Sequence, residues 1–219
     1  MGKKFLLKTI DSFLMSSHFE HYYTPSPKSE LRKSEAKLLL RNGHEYQFIT
    51  PSGVFSFGHV DRASRILIEY AKIHGKSLLD IGCGYGVVGI TLAKENPLID
   101  LSMSDVNSRA VEFTKINAKN HNIQPNIAIG YLYTPWNKQR FDMILSNPPM
   151  AAGKEVWMEL ISKAHEHLNP GGSIQIVAFH NKGGERLMNY LRSVMGNVRT
   201  LVKSGGIRVY FSCKDGNPF

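Results

Sequence analysis

Cysteine is scarce: the 219-residue chain holds only Cys83 and Cys213, far apart in sequence. Two such residues make no disulfide framework and are expected to be reduced thiols. Long apolar runs are missing too, and no stretch approaches the roughly 20 residues that span a bilayer. The opening run Met1-Gly2-Lys3-Lys4-Phe5-Leu6-Leu7-Lys8 has too short an apolar core for a signal peptide, and no small-residue cleavage site follows it. The expected location is cytoplasmic, with no membrane partner. Acidic residues are the minority sign, 18 against 27 Lys and Arg, giving a formal charge of +9. A basic surface favours polyanions such as structured RNA. Dense Lys/Arg runs are absent, however. The positives are scattered, and the N-terminal group from Lys3 to Arg41, interleaved with Phe19, Tyr22 and Tyr23, is the densest. There is no internal repeat and no low-complexity tract. Nine histidines are present, and His18/His21 and His165/His167 lie close in sequence, but no cysteine or carboxylate completes a zinc spacing. No metal is therefore expected, and no Ser-His-Asp arrangement can be traced.

What is present suits one α/β domain behind an N-terminal extension, divided here as residues 1–60 and 61–219. The 42% hydrophobic fraction supports an ordinary core. Tyr23-Thr24-Pro25-Ser26-Pro27 is an extended connector. Residues 44–57 alternate around Pro51-Ser52-Gly53 and predict a small hairpin. Asp61 is placed to cap a helix with the stripe Ile66, Leu67, Tyr70, Ala71. From Ser77 onward, short apolar runs alternate with helical stripes. Strands are predicted at 77–81, 100–104, 126–129, 141–145 and 174–179, with helices between them. A final pair, 198–202 and 207–212, flanks the turn Ser204-Gly205-Gly206. Repeated strand-helix units predict a Rossmann-like, mostly parallel, doubly wound sheet, and the closing hairpin requires an antiparallel strand. Ligands on such sheets sit at the carboxyl ends of the strands.

Three motifs fall at those ends. Asp80-Ile81-Gly82-Cys83-Gly84-Tyr85-Gly86 follows the first strand, with Gly82, Gly84 and Gly86 where the chain must turn sharply against a ligand. The overlapping Gly84-Tyr85-Gly86-Val87-Val88-Gly89 also fits a dinucleotide fingerprint. Asp105 ends the second strand, where a carboxylate accepts ribose hydroxyls or caps the next helix; NAD and S-adenosylmethionine share that ribose. Asp80 favours S-adenosylmethionine, because an acidic group suits an ammonium and repels a pyrophosphate. Cys83 is read as a small residue rather than a nucleophile, since nothing nearby supplies a base. The third motif, Ser146-Asn147-Pro148-Pro149-Met150, closes the fourth strand. The Asn147 carboxamide oxygen and the Pro148 carbonyl can each accept one N–H of a planar NH2, and the prolines hold that carbonyl rigid. Such a clamp catalyses by positioning for in-line displacement.

At this point the chain resembles class I S-adenosylmethionine-dependent methyltransferases, in particular the small-subunit ribosomal RNA guanine-N2 branch and its compact archaeal relatives. The resemblance runs from about His21 to the C-terminus. It rests on His21-Tyr22-Tyr23, Ser52 to Gly58, Asp80 to Gly86, Asp105, Ser146 to Met150, Gly153-Lys154 and Gly205 to Val209. It implies a seven-stranded sheet with the last strand antiparallel. The glycine loop and Asp105 would meet the cofactor, with Asn147 and Pro148 on the target base and Pro149 and Met150 beside it. It also implies that Phe55 to Gly58 closes over the methionine end, Phe57 and Gly58 towards cofactor and Phe55 towards substrate. Two positions depart from the family. Gly130-Tyr131 stands where an acidic residue usually meets the adenine, so Tyr131 is the expected adenine contact. Met150 stands where an aromatic usually stacks on the base, leaving Phe55, Phe57, Trp136 or Phe179 as candidate stacking partners or as plain core. Lys154 is placed to reach substrate phosphate or simply to open a solvated helix. The longer bacterial relatives' duplicated N-terminal half is absent. The function this implies is methylation of an RNA base nitrogen, guanine N2 first, in ribosomal or transfer RNA. Guanine N7, adenine N6 and a protein glutamine remain alternatives.

Overall fold

The computed structural model describes residues 24–216. His18, His21, Tyr22 and Tyr23 lie outside that span. The first described elements are β1 (Lys33–Leu39) and β2 (Glu45–Pro51), an antiparallel pair in register from Lys33↔Pro51 to Leu39↔Glu45. The hairpin predicted within 44–57 is thus corrected. Its first strand lies upstream, its turn is Leu40 to His44, and residues 52–59 form a loop. The Pro51-Ser52-Gly53 turn signal was real, but it bends the chain out of the sheet.

Helix α1 (Arg62–Tyr70) begins at Asp61, whose carboxylate accepts the Ser64 N–H at 3.0 Å. The alternating units follow: β3 (Ser77–Ile81), α2 (Val87–Glu95), β4 (Asp100–Asp105), α3 (Ser108–Asn120), β5 (Asn126–Ile129) and β6 (Phe141–Ser146). Next come α4 (Lys154–His167), β7 (Leu168–Phe179), α5 (Glu185–Met195), β8 (Arg199–Ser204) and β9 (Ile207–Cys213). Strand β7 begins at Leu168 rather than Ile174, because Leu168 already pairs with Phe141 before a register shift. The sheet order is β5-β4-β3-β6-β7-β9-β8. The first five are parallel, and β9 runs antiparallel to both neighbours, so the last strand in the chain is the antiparallel one.

Side chains alternate across the strands into two cores. Leu78, Met143, Leu145 and Val177 join the helix residues Leu67, Val88 and Phe113 on one face. Leu79, Ile144, Ile174 and Ile176 join Leu160, Ile161, Leu187 and Leu191 on the other. Central strands buried on both faces explain the continuous apolar runs. The β1–β2 hairpin contributes Leu38, Leu40 and Phe48 to the first core, so the hairpin packs with the large sheet. Cys83 and Cys213 are both buried. No described helix is long and apolar enough to cross a membrane.

Candidate active site

Strand β3 leads outward to β4 and β5 on one side, and the chain then returns to place β6 on its other side. That reversal is the switch point at which α/β sheets bind ligands. The glycine loop leaves β3 and the Asn-Pro-Pro run leaves β6, so the two flank one crevice. Ser146 Oγ donates to the Ile81 carbonyl at 2.8 Å and ties their starting points together.

The loop is held in a left-handed shape at Gly82, Gly84 and Gly86, with φ of 73°, 59° and 94°. Nothing lies within 4 Å of where a Gly82 Cβ would stand, so the loop is open on that side. Below it, Asp80 is buried and accepts the Gly89 N–H at 2.9 Å. Burial pushes its carboxyl up to about 7, against the Gly89 bond and with help from the charge of Asp105. Asp105 accepts Gly84 N–H on one oxygen and Asn107 N–H on the other, both at 2.9 Å, and stays partly exposed. Burial raises its carboxyl as well, opposed by those N–H groups. Each oxygen keeps a second lone pair for a ligand hydroxyl. Burial raises the Cys83 thiol well above its usual range, so it is no nucleophile.

Residues 52–59 lie across the loop. Tyr85 reaches up from the glycine loop and donates its hydroxyl to His59 O at 3.0 Å, while a Gly84 Cβ would lie 4.0 Å from Val54. Gly58 N–H donates to Thr50 Oγ1, Phe57 lies 5.8 Å from the Arg32 guanidinium, and Phe55 is exposed. Four residues that sequence reading missed do the fastening. Asn107, buried, caps α3 and donates to Gly53 O at 2.8 Å. Thr114 donates to Gly84 O, and Asn117 donates to both Tyr85 O and Ile49 O. Arg109 spreads its guanidinium over Ser52 O, Pro27 O, Ser29 O and Ser29 Oγ.

At the other wall, Pro148 is buried and Asn147, Pro149 and Met150 are half-buried. The Asn147 amide nitrogen donates to Asp61 Oδ2 at 3.1 Å and to Ser64 Oγ at 3.0 Å. Among the described residues none donates to its oxygen, nor to the Pro148 carbonyl. Asp61 and Ser64 are the other functional residues that the sequence did not reveal beyond a helix cap. A Cβ on Gly183 would lie 3.0 Å from Met150 Cε, so the thioether rests on the loop after β7. Lys154 opens α4 and is exposed. Of the stacking candidates, Trp136 takes the core alternative. It is buried, donates to Ser104 Oγ at 2.9 Å and meets Phe141 edge-on. Phe179 remains exposed at the end of β7. Tyr131 turns its hydroxyl to Glu159 of α4 at 2.8 Å; burial and that carboxylate both raise its pKa. No His/Cys/Asp/Glu group among the described residues could hold a metal.

Residues 45–211 match the family model of the methyltransferase small domain. The chain belongs to that family. Several known proteins are similar to this chain. The protein YbxB of Bacillus subtilis, named as uncharacterized, is 36% identical over 193 residues, covering 85% of this chain and 94% of that one. Ribosomal RNA small subunit methyltransferase C of Photorhabdus laumondii is 33% identical, covering 75% of this chain and 49% of that one. Among solved structures, the T. thermophilus 16S rRNA N2 G1207 methyltransferase, in complex with AdoMet and guanosine, superposes with a TM-score of 0.71 at 24% identity. The match covers 86% of this chain and 52% of that one. The chain thus spans about half the length of the ribosomal RNA methyltransferases it matches.

Proposed function

We propose that this methyltransferase small domain transfers a methyl group from S-adenosylmethionine to an exocyclic amino group of an RNA base, guanine N2 of small-subunit ribosomal RNA foremost. The observation that carries the reading is the state of Asn147. Its amide nitrogen is taken up by Asp61 and Ser64, so only its oxygen is left to a ligand. With the Pro148 carbonyl beside it, this wall of the crevice offers acceptors and no donor. An NH2 group with two N–H bonds matches that pair. Guanine N7, itself an acceptor, does not. Adenine N6 and a glutamine amide match the clamp equally, and the likeness to the 16S rRNA N2 G1207 methyltransferase supports guanine over both.

The opposite wall fits the cofactor. Gly82 to Gly86 would pass under its methionine and ribose portions, the partly exposed Asp105 would accept ribose hydroxyls, and Asp80 would supply negative charge beneath an ammonium. Phe57 and Gly58 would cover it, and Tyr131 would bound the adenine side. Bound there, S-adenosylmethionine supplies a methyl already activated on a sulfonium. The remaining work belongs to the chain. A base amino lone pair is delocalised into its ring and is a poor nucleophile. Asn147 Oδ1 and Pro148 O would each take one N–H, turn the nitrogen's lone pair towards the methyl, and shut off rotation. Phe55, Pro149 and Met150 would pack against the base, and Lys154 would meet a phosphate. The amino proton leaves the nitrogen after it has become cationic, so no strong base is needed.

The test is transfer of labelled methyl from S-adenosylmethionine to unmodified small-subunit ribosomal RNA, with nucleoside mass analysis of the product. N2-methylguanosine is the expected product. Label that survives ribonuclease and follows protein would instead identify a protein substrate. In Asn147→Ala, transfer is expected to fall at least about 100-fold while cofactor affinity holds. Lost cofactor binding in that variant would overturn the assigned role.

A further inference from the structure

We infer that Asp61 and Ser64 are positioning residues that lock the Asn147 carboxamide in one of its two orientations and so make the clamp selective for an NH2 donor. The inference rests on the proposed function and deepens it. A primary amide can turn by half a rotation about its last bond, exchanging an acceptor for a donor at nearly the same place. A free Asn147 would therefore present either group to a substrate. Here the choice is made by the N-cap and a first-turn residue of α1, 86 and 83 positions away in sequence. The Asp61 carboxylate offers acceptors and no donor. The reversed amide would set Asn147 oxygen against this carboxylate, two acceptors face to face. Ser64, buried, takes the second N–H.

The same Asp61 oxygen also accepts the Ser64 backbone N–H, so the cap of α1 and the amide anchor are one atom. That sharing fixes the anchor's place. The cap sets Asp61 against the first turn, the first turn carries Ser64, and α1 is held by Ile66 and Leu67 in the core. The clamp thus inherits its direction from a helix terminus rather than from the proline turn alone.

Two substitutions separate anchoring from capping. Ser64→Ala removes one acceptor but leaves the backbone cap and a good helix former. Asp61→Asn keeps a capping side chain of equal rank but is no longer acceptor-only. Each is expected to lower kcat for methyl transfer to small-subunit ribosomal RNA about 5-fold, and both together about 20-fold or more, with cofactor Kd and Tm close to wild type. In an Asn147→Ala background neither should reduce the residual rate further, since their target is gone. Losses that persist in that background, or a double variant with wild-type kcat, would overturn the assignment. A readout without turnover is the hydrogen exchange of the Asn147 side-chain NH2, assigned by NMR through its absence in Asn147→Ala. Slow exchange in the wild type that quickens in Ser64→Ala is expected, and exchange equal in both would overturn the anchor. If the wild type methylates no RNA base, the proposed function fails, while the exchange experiment still decides whether the amide is locked.

Discussion

Asp80 lies under the ligand loop with its carboxyl raised by burial to about 7. The unfolded chain releases that proton near pH 4, so between about 4 and 7 the folded protein binds a proton that the unfolded one does not. Stability from this residue is therefore present at low pH and declines as pH rises through 7, by at most about 4 kcal/mol. Asp80→Asn should remove the decline: without cofactor, its Tm relative to wild type should rise from pH 5 to pH 8. Parallel pH profiles for the two proteins would contradict the assignment. A cationic cofactor above the loop favours the ionised form, so in the wild type its binding should release protons near pH 7, detectable by calorimetry in buffers of different ionisation enthalpy. Gly82, Gly84, Gly86, Asp105 and Asn147 could be nominated from the sequence because they lie at or just beyond the ends of β3, β4 and β6, and strand ends are easy to find. Their tethers were not. Asp61, Asn107, Arg109 and Asn117 act through contacts over 54 to 86 residues or onto backbone carbonyls, and no local pattern records such a contact. Tyr131 was placed on the adenine by position alone, but its hydroxyl has found a carboxylate on α4.

At the level of elements, Arg109 shows how loops become parts of a site. One guanidinium on the first turn of α3 gathers carbonyls from residues 27, 29 and 52. The planar fork matters, since Nη1 and Nη2 reach separate carbonyls, whereas a lysine concentrates its donors on one compact ammonium. Arg109→Lys is therefore expected to loosen residues 24–32 and 52–59 while leaving the large sheet intact. Hydrogen exchange should rise in those two segments alone, and cofactor affinity should fall several-fold, on the order of 1 kcal/mol. Uniform loosening across the sheet would mean that Arg109 supports the fold instead. A second network sits at the far end of the strands. Asp142 accepts from Lys76 N–H, Ser77 N–H, Ser77 Oγ and Asn169 Nδ2, pinning the entry to β3 against β6 and β7. Burial pushes its carboxyl up, but these donors outweigh it and hold it at about 2. Its stabilisation is present above pH 4 and is lost as pH falls through 2, the opposite trend to Asp80. The parallel sheet was readable because doubly buried strands and amphipathic helices differ in period. The N-terminal hairpin was misplaced because its turn was assigned to Pro51-Ser52-Gly53, whereas the Asn42-Gly43 signal, with Gly43 at φ 89°, is the one that joins β1 to β2.

For the whole molecule, the question is where the excess positive charge lies. Because β9 is antiparallel to β7 and β8, the turn at Ser204-Gly205-Gly206 returns to the same end of the sheet as the crevice. Arg62 opens α1 beside Asp61, Lys154 opens α4 after the clamp, and Lys182 follows β7; Lys203 and Arg208 flank the final turn. Topology thus gathers along one edge charges that look scattered in sequence. Among the described residues none of these five forms a salt bridge, whereas Lys37, Arg41, Arg65 and Lys163 do. An unpaired basic rim around an acceptor-lined crevice suits a phosphate backbone whose base enters the crevice. If RNA docks there, each phosphate contact contributes about one unit or slightly less to the slope of log affinity against log salt. Lys154→Glu and Lys182→Glu together should flatten that slope by about two for small-subunit ribosomal RNA and weaken binding at low salt, without changing cofactor Kd. Lys37→Glu, on β1 of the small sheet and already paired with Glu45, should leave the slope alone. An unchanged slope in the double variant would move the RNA to another face, and an equal loss from Lys37→Glu would reduce the rim to net charge alone. The two controls together ask whether the fold has concentrated its charge where the chemistry needs it, or merely carries it.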